Sequence, residues 1–119
     1  MSIVELTNDE LFLQVEDLIK KISDCKYDID RFTKELQLAE IEKVKKEYEL
    51  MMTTNFKDLG ITNKEGREAY IASHDDIVAL EREINSCNIA ISEEKNSISY
   101  LDDMKKLFNR MIDMRIKQW

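Results

Sequence analysis

Apolar residues in the first half of the chain recur at alternating steps of four and three residues. The positions are Leu11, Val15, Leu18, Ile22, Cys25, Ile29, Phe32, Leu36 and Ala39. A period of about 3.5 residues is the heptad seam with which one helix packs along another. The pattern therefore predicts one long helix, from residue 8 to about residue 55.

The start and the later course of this helix carry further signals. Thr7 and Glu10 have the spacing of a capping box, in which each side chain bonds the backbone amide of the other residue. After Ala39 the strict register meets a lysine, Lys43. The apolar positions beyond it are Ile41, Val44, Tyr48 and Met51. We therefore expect the seam to shift to them through a local change of helix winding.

The second half of the chain carries a comparable apolar stripe. Its positions are Ile77, Leu80, Ile84, Cys87, Ile91, Ile98, Leu101, Met104, Phe108, Met111 and Ile112. This stripe predicts a second long helix over about residues 63–117, with a possible kink at residues 73–76, where the sequence resembles a helix start. Four polar residues, 93–96, interrupt the stripe, so we expect weaker or wetter packing there.

A short turn separates the two predicted helices. Residues 56–62 contain Gly60, which suits the left-handed conformation at the end of a helix, and Thr62 or Asn63 can cap the next helix. Antiparallel pairing then places residues whose numbers sum to about 118 at one level, so that Leu11 faces Leu107. The sequence thus predicts an all-α single domain, residues 1–119, built as an antiparallel hairpin of two long coiled-coil-like helices.

Composition strengthens the helical interpretation. The 119 residues include no proline and 2 glycines, the two residue types that most often build turns and loops. This length favours one domain with one core. Several apolar residues nevertheless lie beside the seam, namely Ile19, Leu38, Leu50, Ile89, Leu107 and Met114. Because a two-helix hairpin buries only one seam, we expect a homo-oligomer, with a dimeric four-helix bundle favoured, or docking on another protein.

Charge and cysteine usage narrow the function classes. The net charge of -7 argues against a dedicated nucleic-acid binder, since most of the surface would repel phosphate. The chain shows no signal-peptide pattern and no long apolar stretch, so we expect a cytoplasmic protein that makes no use of a membrane. Cys25 and Cys87 lie far apart, which predicts reduced thiols in a core.

No constellation for catalysis is evident in the sequence. His74 is the only histidine, and it has no Glu partner at metal-ligand spacing. The adjacent acidic pairs, Asp75 with Asp76 and Asp102 with Asp103, point to different sides of a helix. We therefore expect no catalytic residue, no metal and no cofactor, and hence no enzyme activity.

The C-terminal segment is basic and amphipathic. Its candidate binding residues are Lys105, Lys106, Arg110, Arg115 and Trp119. One interpretation, which we favour, is that the basic side chains complement the helix dipole while the apolar ones complete the bundle. The alternative is that this end binds an anionic surface, a partner groove or single-stranded nucleic acid.

The segment of residues 60–71 resembles the turn of small helical proteins encoded by phages and prophages. Those proteins join two long helices through a turn with an Asn, an Arg four residues later and an Ala two residues beyond that. Asn63, Arg67 and Ala69 match these positions, whereas Gly66 differs from the helix-forming residue expected there. The resemblance implies a phage or mobile-element accessory protein, and it implies no catalytic activity.

Two roles are open for this turn. Arg67 can pair with Asp58 or Glu65 and fasten the loop, which is the role we favour. Alternatively, Arg67 and Tyr70 anchor a protein partner, since Arg and Tyr are enriched in binding hot spots.

The charge balance and the resemblance together suggest a helical protein-protein interaction module. An acidic surface, with Asp24, Asp28 and Asp30 as candidate contacts, suits a host or phage protein that handles nucleic acid or acts in defence, because such a protein presents a basic channel. The alternative function is a recombination or replication accessory that contacts single strands through the C-terminal segment.

Overall fold

The computed structural model describes residues 6–117, and helices account for 88% of them, with no strand in that range. The helices are α1, Asn8–Thr53, α2, Lys64–Ser73, and α3, Asp75–Lys117. The prediction of an all-α chain with two long helices is thereby confirmed.

A capping box opens α1, as the sequence predicts. The Thr7 amide donates to Oε2 of Glu10, and the Glu10 amide donates to Oγ1 of Thr7, both at 3.2 Å. These bonds satisfy two backbone donors that have no partner within the helix. At the other end, the Thr53 hydroxyl donates to the Glu49 carbonyl at 2.8 Å, and the helix ends there, two residues before the expected position.

The turn after α1 is closed by backbone hydrogen bonds. The Ile61 amide donates to the Phe56 carbonyl at 2.9 Å, and Gly60 has a φ of 73°, the left-handed conformation that glycine adopts without strain. Asn63 then caps α2, because its Oδ1 accepts from the Gly66 amide at 2.7 Å. The predicted roles of Gly60 and Asn63 are confirmed.

Gly66 is a glycine because of its close neighbours. A Cβ atom at this position would lie 2.9 Å from Oδ1 of Asn63 and 3.0 Å from Cγ2 of Ile61. A side chain at the third position of α2 would therefore crowd the cap, and the side chain of Asn63 or Ile61 would have to shift.

His74 separates α2 from α3. Its backbone is extended, with φ -64° and ψ 137°, and its Nδ1 accepts from the Asp76 amide at 3.2 Å. The Val78 amide donates to the His74 carbonyl at 2.9 Å. A side-chain acceptor at this point serves as the N-terminal cap of α3.

The chain divides into two compact units, and each long helix contributes to both. Unit 1 comprises residues up to 30 together with residues from 91, and unit 2 comprises residues 31–90. The core of unit 1 consists of Leu11, Leu18 and Phe108. The predicted register placed Leu107 opposite Leu11. This prediction is wrong by one position, because Phe108 fills the core and Leu107 is 39% exposed.

The core of unit 2 brings all three helices together. Leu50 of α1, Ile71 of α2 and Ile77 of α3 form one buried cluster. Phe56 and Tyr70 pack against it, and their rings meet edge to face with centroids 5.7 Å apart. Burial of these large side chains fixes the turn and α2 on the long helices.

The expected shift of the seam after Ala39 is wrong. The buried face keeps its register through Lys43 and Lys46 to Leu50, which is 8% exposed. The ammonium group of Lys43 bonds Glu81 of α3, and that of Lys46 lies 3.3 Å from the Asp76 carboxylate. Lysine fits this seam because its aliphatic stem packs while its charged end reaches the edge.

Most apolar residues beside the seam are exposed. The apolar set to which the seam was expected to shift is exposed, and it consists of Ile41, Val44, Tyr48 and Met51. Among the six flanking apolar residues that were expected to need cover, Leu50 is part of the core and the others are exposed. The helix α1 therefore carries one packed face and one exposed apolar face within unit 2.

Candidate protein-binding surfaces

Unit 1 contains an open groove between α1 and α3, of about 630 Å³, which we call the acidic groove. Its lining residues are Lys21, Asp24, Cys25, Asp28, Glu94, Asn96, Ser97, Tyr100 and Leu101. The groove lies where polar residues interrupt the apolar stripe of α3. Small and polar side chains fill less of the space between two helices, which leaves the groove open.

The electrostatics of the acidic groove are dominated by carboxylates. Burial, a hydrogen bond to Glu94 and the charges of Asp28 and Asp24 all raise the pKa of the Cys25 thiol. The basic lining residue is Lys21, whose ammonium group lies 2.8 Å from the Asp17 carboxylate. That bond raises the pKa of Lys21 above its ordinary value.

The raised pKa of Cys25 bears on its chemistry. A nucleophilic cysteine needs a lowered pKa, which positive neighbours provide. The neighbours of Cys25 are negative and act in the opposite direction. At neutral pH this side chain is a protonated thiol in the groove wall.

The three predicted acidic residues of α1 do not all line the acidic groove. Asp24 and Asp28 are one helical turn apart and line the same groove, whereas Asp30 is exposed and is not part of its lining. Two further residues turn a helix by about 200°, which takes Asp30 to another side. The third carboxylate is Glu94 of α3, which sequence reasoning missed, although the antiparallel register already placed residues 93 and 94 opposite Cys25.

Unit 2 carries the exposed apolar face of α1, which we call the α1 strip: Ile41, Val44, Tyr48 and Met51. These side chains are between 40% and 69% exposed. They recur at steps of three, four and three residues, the spacing that aligns side chains along one face of a helix. Large apolar side chains in consecutive turns form a contiguous patch, the usual mark of a protein interaction site.

A groove of about 500 Å³ adjoins the α1 strip within unit 2. Tyr48 and Met51 of the strip form one wall, and the lining continues with Ile71, Ala72 and Ile77. The charged residues at this groove are Lys43, Glu47, Glu68 and Glu81. Since Lys43 is bonded to Glu81, the remaining charge at the rim is negative.

Tyr70 packs into the turn, whereas Arg67 has no side-chain bond among the described residues that would fasten it. The ring of Tyr70 packs on Phe56 and on the core of unit 2. Arg67 is half-buried, and its backbone amide donates to the Asn63 carbonyl at 3.2 Å. The expected ion pair of Arg67 is wrong, because Asp58 instead accepts from Nδ2 of Asn55 at 2.8 Å, and the described residues show no pair with Glu65.

The basic residues near the end of α3 have local partners. Lys105 and Lys106 lie 3.5 Å and 3.7 Å from the same Asp102 carboxylate. Nη1 of Arg115 donates to Oδ1 of Asn8 at 3.0 Å, which ties the end of α3 to the start of α1. Arg110 is exposed, and Trp119 lies outside the described residues.

Among residues 6–117, no group of three or more His, Cys, Asp or Glu side chains is placed to hold a metal ion. None of the helices in the same range has a stretch long and apolar enough to cross a membrane. Comparisons of the chain with protein-family models, curated proteins and solved structures found no match.

Proposed function

We propose that this chain is a non-enzymatic helical interaction protein that binds a basic protein surface through the acidic groove. The observation that carries the proposal is the convergence of Asp24, Asp28 and Glu94 from two helices on one open groove. Tyr100 and Leu101 add apolar area beside the carboxylates. Carboxylates around an aromatic anchor suit a partner that presents Arg or Lys side chains.

The chemistry of the groove favours a partner that handles nucleic acid. Such proteins concentrate positive charge in a channel, and rigid rows of carboxylates can occupy the place of phosphates. The carboxylates of the groove stand on helices, so little conformational freedom is lost on binding. A nuclease, a recombinase or a defence effector belongs to this class of partner.

The biological setting is part of the same proposal. Asn63, Arg67 and Ala69 give the turn its resemblance to phage and prophage accessory proteins. We therefore place the chain in a phage or mobile element, acting in the cytoplasm of a bacterial host on a host or phage protein. The exposed α1 strip supports the further proposal of a dimer, because contiguous apolar surface of this kind is normally covered.

Charge reversal in the acidic groove tests the proposal. We expect the double variant Asp24→Lys, Asp28→Lys to lose a stoichiometric partner that wild-type protein retains in a pull-down from nuclease-treated host lysate. Asp30→Lys is the matched control, because it makes the same change on the same helix outside the groove. Equal retention by all three proteins would contradict the proposal, and a partner that vanishes with nuclease would favour nucleic-acid binding by the C-terminal segment.

A further inference from the structure

We infer that a second copy of this chain covers the α1 strip, with the two α1 helices side by side, parallel and in register. The inference rests on the dimer proposed above and specifies its contact face and orientation. It concerns unit 2 alone, and the acidic groove of unit 1 has no part in it.

The spacing of the α1 strip is that of a coiled-coil seam. Ile41 and Tyr48 are seven residues apart and take the a positions, while Val44 and Met51 take the d positions. A two-stranded coiled coil is held by alternating a and d side chains of this kind. All four side chains are exposed in the single chain and so are available for a partner helix.

The flanking e positions widen the same surface. Leu38 and Met52 are both more than 60% exposed and stand beside the strip. Together with the strip they make six of the sixteen large apolar side chains that are exposed in the described chain, all within residues 38–52. This density on one short helical segment is what distinguishes a binding face from scattered apolar exposure.

The exposed apolar residues of α3 in unit 1 are less suitable. Tyr100, Leu107 and Met114 recur every seven residues, which supplies one seam position per heptad. The residues that would supply the other position, Met104 and Met111, pack against the core of their own unit. A knobs-into-holes seam needs both positions free.

Charges beside the α1 strip select the parallel orientation. Parallel coiled-coil helices pair a g position with the e position five residues later on the partner, which here brings Glu40 beside Lys45 of the second copy. In an antiparallel pair the like positions meet. Glu47 would then lie near its own equivalent on the second copy, and Lys45 near its own equivalent, so both contacts would be repulsive.

The net charge of the chain does not oppose this contact. Residues 34–52 contain four lysines and five glutamates, so the segment that holds the strip is nearly neutral. The acidic excess therefore lies elsewhere in the chain. Coulombic repulsion between copies is screened beyond about 8 Å at physiological salt, which leaves the local pairing to decide the orientation.

Sedimentation equilibrium of charge variants tests the inference. If the helices are parallel, Glu40→Lys and Lys45→Glu should each raise the dimer dissociation constant about tenfold, and the double variant should restore it, because the pair is then merely inverted. If they are antiparallel, Glu40→Lys should leave the dissociation constant unchanged, since position 40 would then lie near the uncharged Thr54 of the second copy. The matched control is Glu42→Lys, the same change at a b position away from the seam.

Disulfide trapping supplies a second readout of register. In a background of Cys25→Ala and Cys87→Ala, the substitution Val44→Cys should cross-link two copies readily under mild oxidation, because a d position faces its own equivalent in a parallel pair. A protein that stays monomeric at every concentration, or a dimer that Glu40→Lys does not weaken, would overturn the inference. Neither result would touch the acidic groove, which the Asp24 and Asp28 variants test separately.

Discussion

The two units of this chain expose the same residue types to nearly the same degree but arrange them differently. Tyr48 in unit 2 is 69% exposed and Tyr100 in unit 1 is 65% exposed, and Met52 and Met114 are exposed by 67% and 53%. In unit 2 the apolar side chains follow one another in consecutive turns of α1. In unit 1 those of α3 are Tyr100, Leu107 and Met114, spaced a heptad apart, and Tyr100 stands beside carboxylates. The arrangement, and not the inventory, is the basis on which we propose a different partner for each unit.

The cause of the difference lies in the seams. In unit 1 the seam of α1 is apolar throughout and packs inside the unit, while Phe12, Leu13, Ile19 and Tyr27 of the same helix are exposed. In unit 2 the seam accepts Lys43 and Lys46, whose charged ends bond carboxylates of α3. The apolar residues near them are then left on a second face. A helix that packs through lysine stems can thus keep an apolar face for another molecule.

The largest effect should come from the cores. Leu11→Ala in unit 1 and Ile77→Ala in unit 2 should each lower the free energy of unfolding in urea by about 2–5 kcal/mol, because both side chains are fully buried. The control Leu13→Ala, at an exposed position, should change it by less than about 0.5 kcal/mol. Hydrogen exchange should rise most in the unit that carries the substitution. An equal rise in both units would contradict the division into two units.

A smaller effect is expected at the caps. Gly66→Ala should destabilise the protein by about 1 kcal/mol, although alanine is the better helix former, because its Cβ would crowd Asn63 and Ile61. Asn63→Ala should cost a similar amount through loss of the cap. In the double variant the cost of Gly66→Ala should shrink, since Oδ1 of Asn63 is gone. Additive costs in thermal unfolding would show that the crowding is unimportant.

The seam lysines allow the contrast between the units to be tested by pH. Lys43→Met should change stability at neutral pH by less than about 1 kcal/mol, because the pair with Glu81 is partly exposed. The hydrogen bond to Glu81 raises the pKa of Lys43 above the ordinary value of 10.5, so the contribution of the pair is complete below that value. It should disappear as the pH rises through the raised pKa. The free energies of unfolding of wild type and Lys43→Met, measured in urea over this pH range, should therefore converge. Free energies that stay equally far apart would contradict this prediction.

The cysteines should show the smallest effect. Burial raises the pKa of Cys87 as it does that of Cys25, and carboxylates add to both shifts. Both should therefore be alkylated more slowly at neutral pH than a free thiol, with Cys87 the slower because it is the more buried. Glu94→Gln should speed alkylation of Cys25 and leave Cys87 unchanged, as measured by mass spectrometry. The same alkylation rate at Cys25 in both proteins would show that the Glu94 carboxylate does not affect this thiol.

Local sequence signals predicted much of this fold. The heptad of unit 1, the capping box at Thr7, the turn at Gly60 and the cap at Asn63 each depend on neighbours a few residues away, so the sequence reveals them directly. The seam in unit 2 was misjudged because Lys43 counts as polar in a hydrophobic pattern, although its stem packs. The sequence does not explain Gly66, because the neighbour that a side chain at this position would crowd, Ile61, is identified only by the folded structure.

The candidate surfaces were harder to predict. Asp24 and Asp28 were identified from their place on one helix, but Asp30 belongs to another side and Glu94 comes from the opposite helix. Which carboxylates share a groove depends on the pairing of α1 with α3, and a shift of one residue, as at Leu107, changes the answer. The sequence shows the α1 strip as an apolar stripe and predicts it to be the packed face of α1. In the structure this face is exposed.

Oxidative footprinting across a range of protein concentrations tests the central claim most directly, because Met and Tyr report the exposure of both units in one experiment. We predict that Tyr48, Met51 and Met52 become protected as the concentration rises, while Tyr100 and Met114 keep their reactivity. The Glu40→Lys variant should need a higher concentration to reach the same protection. Protection of Tyr100 and Met114 in place of the α1 strip, or of neither set, would contradict the assignment of unit 2 as the self-association face.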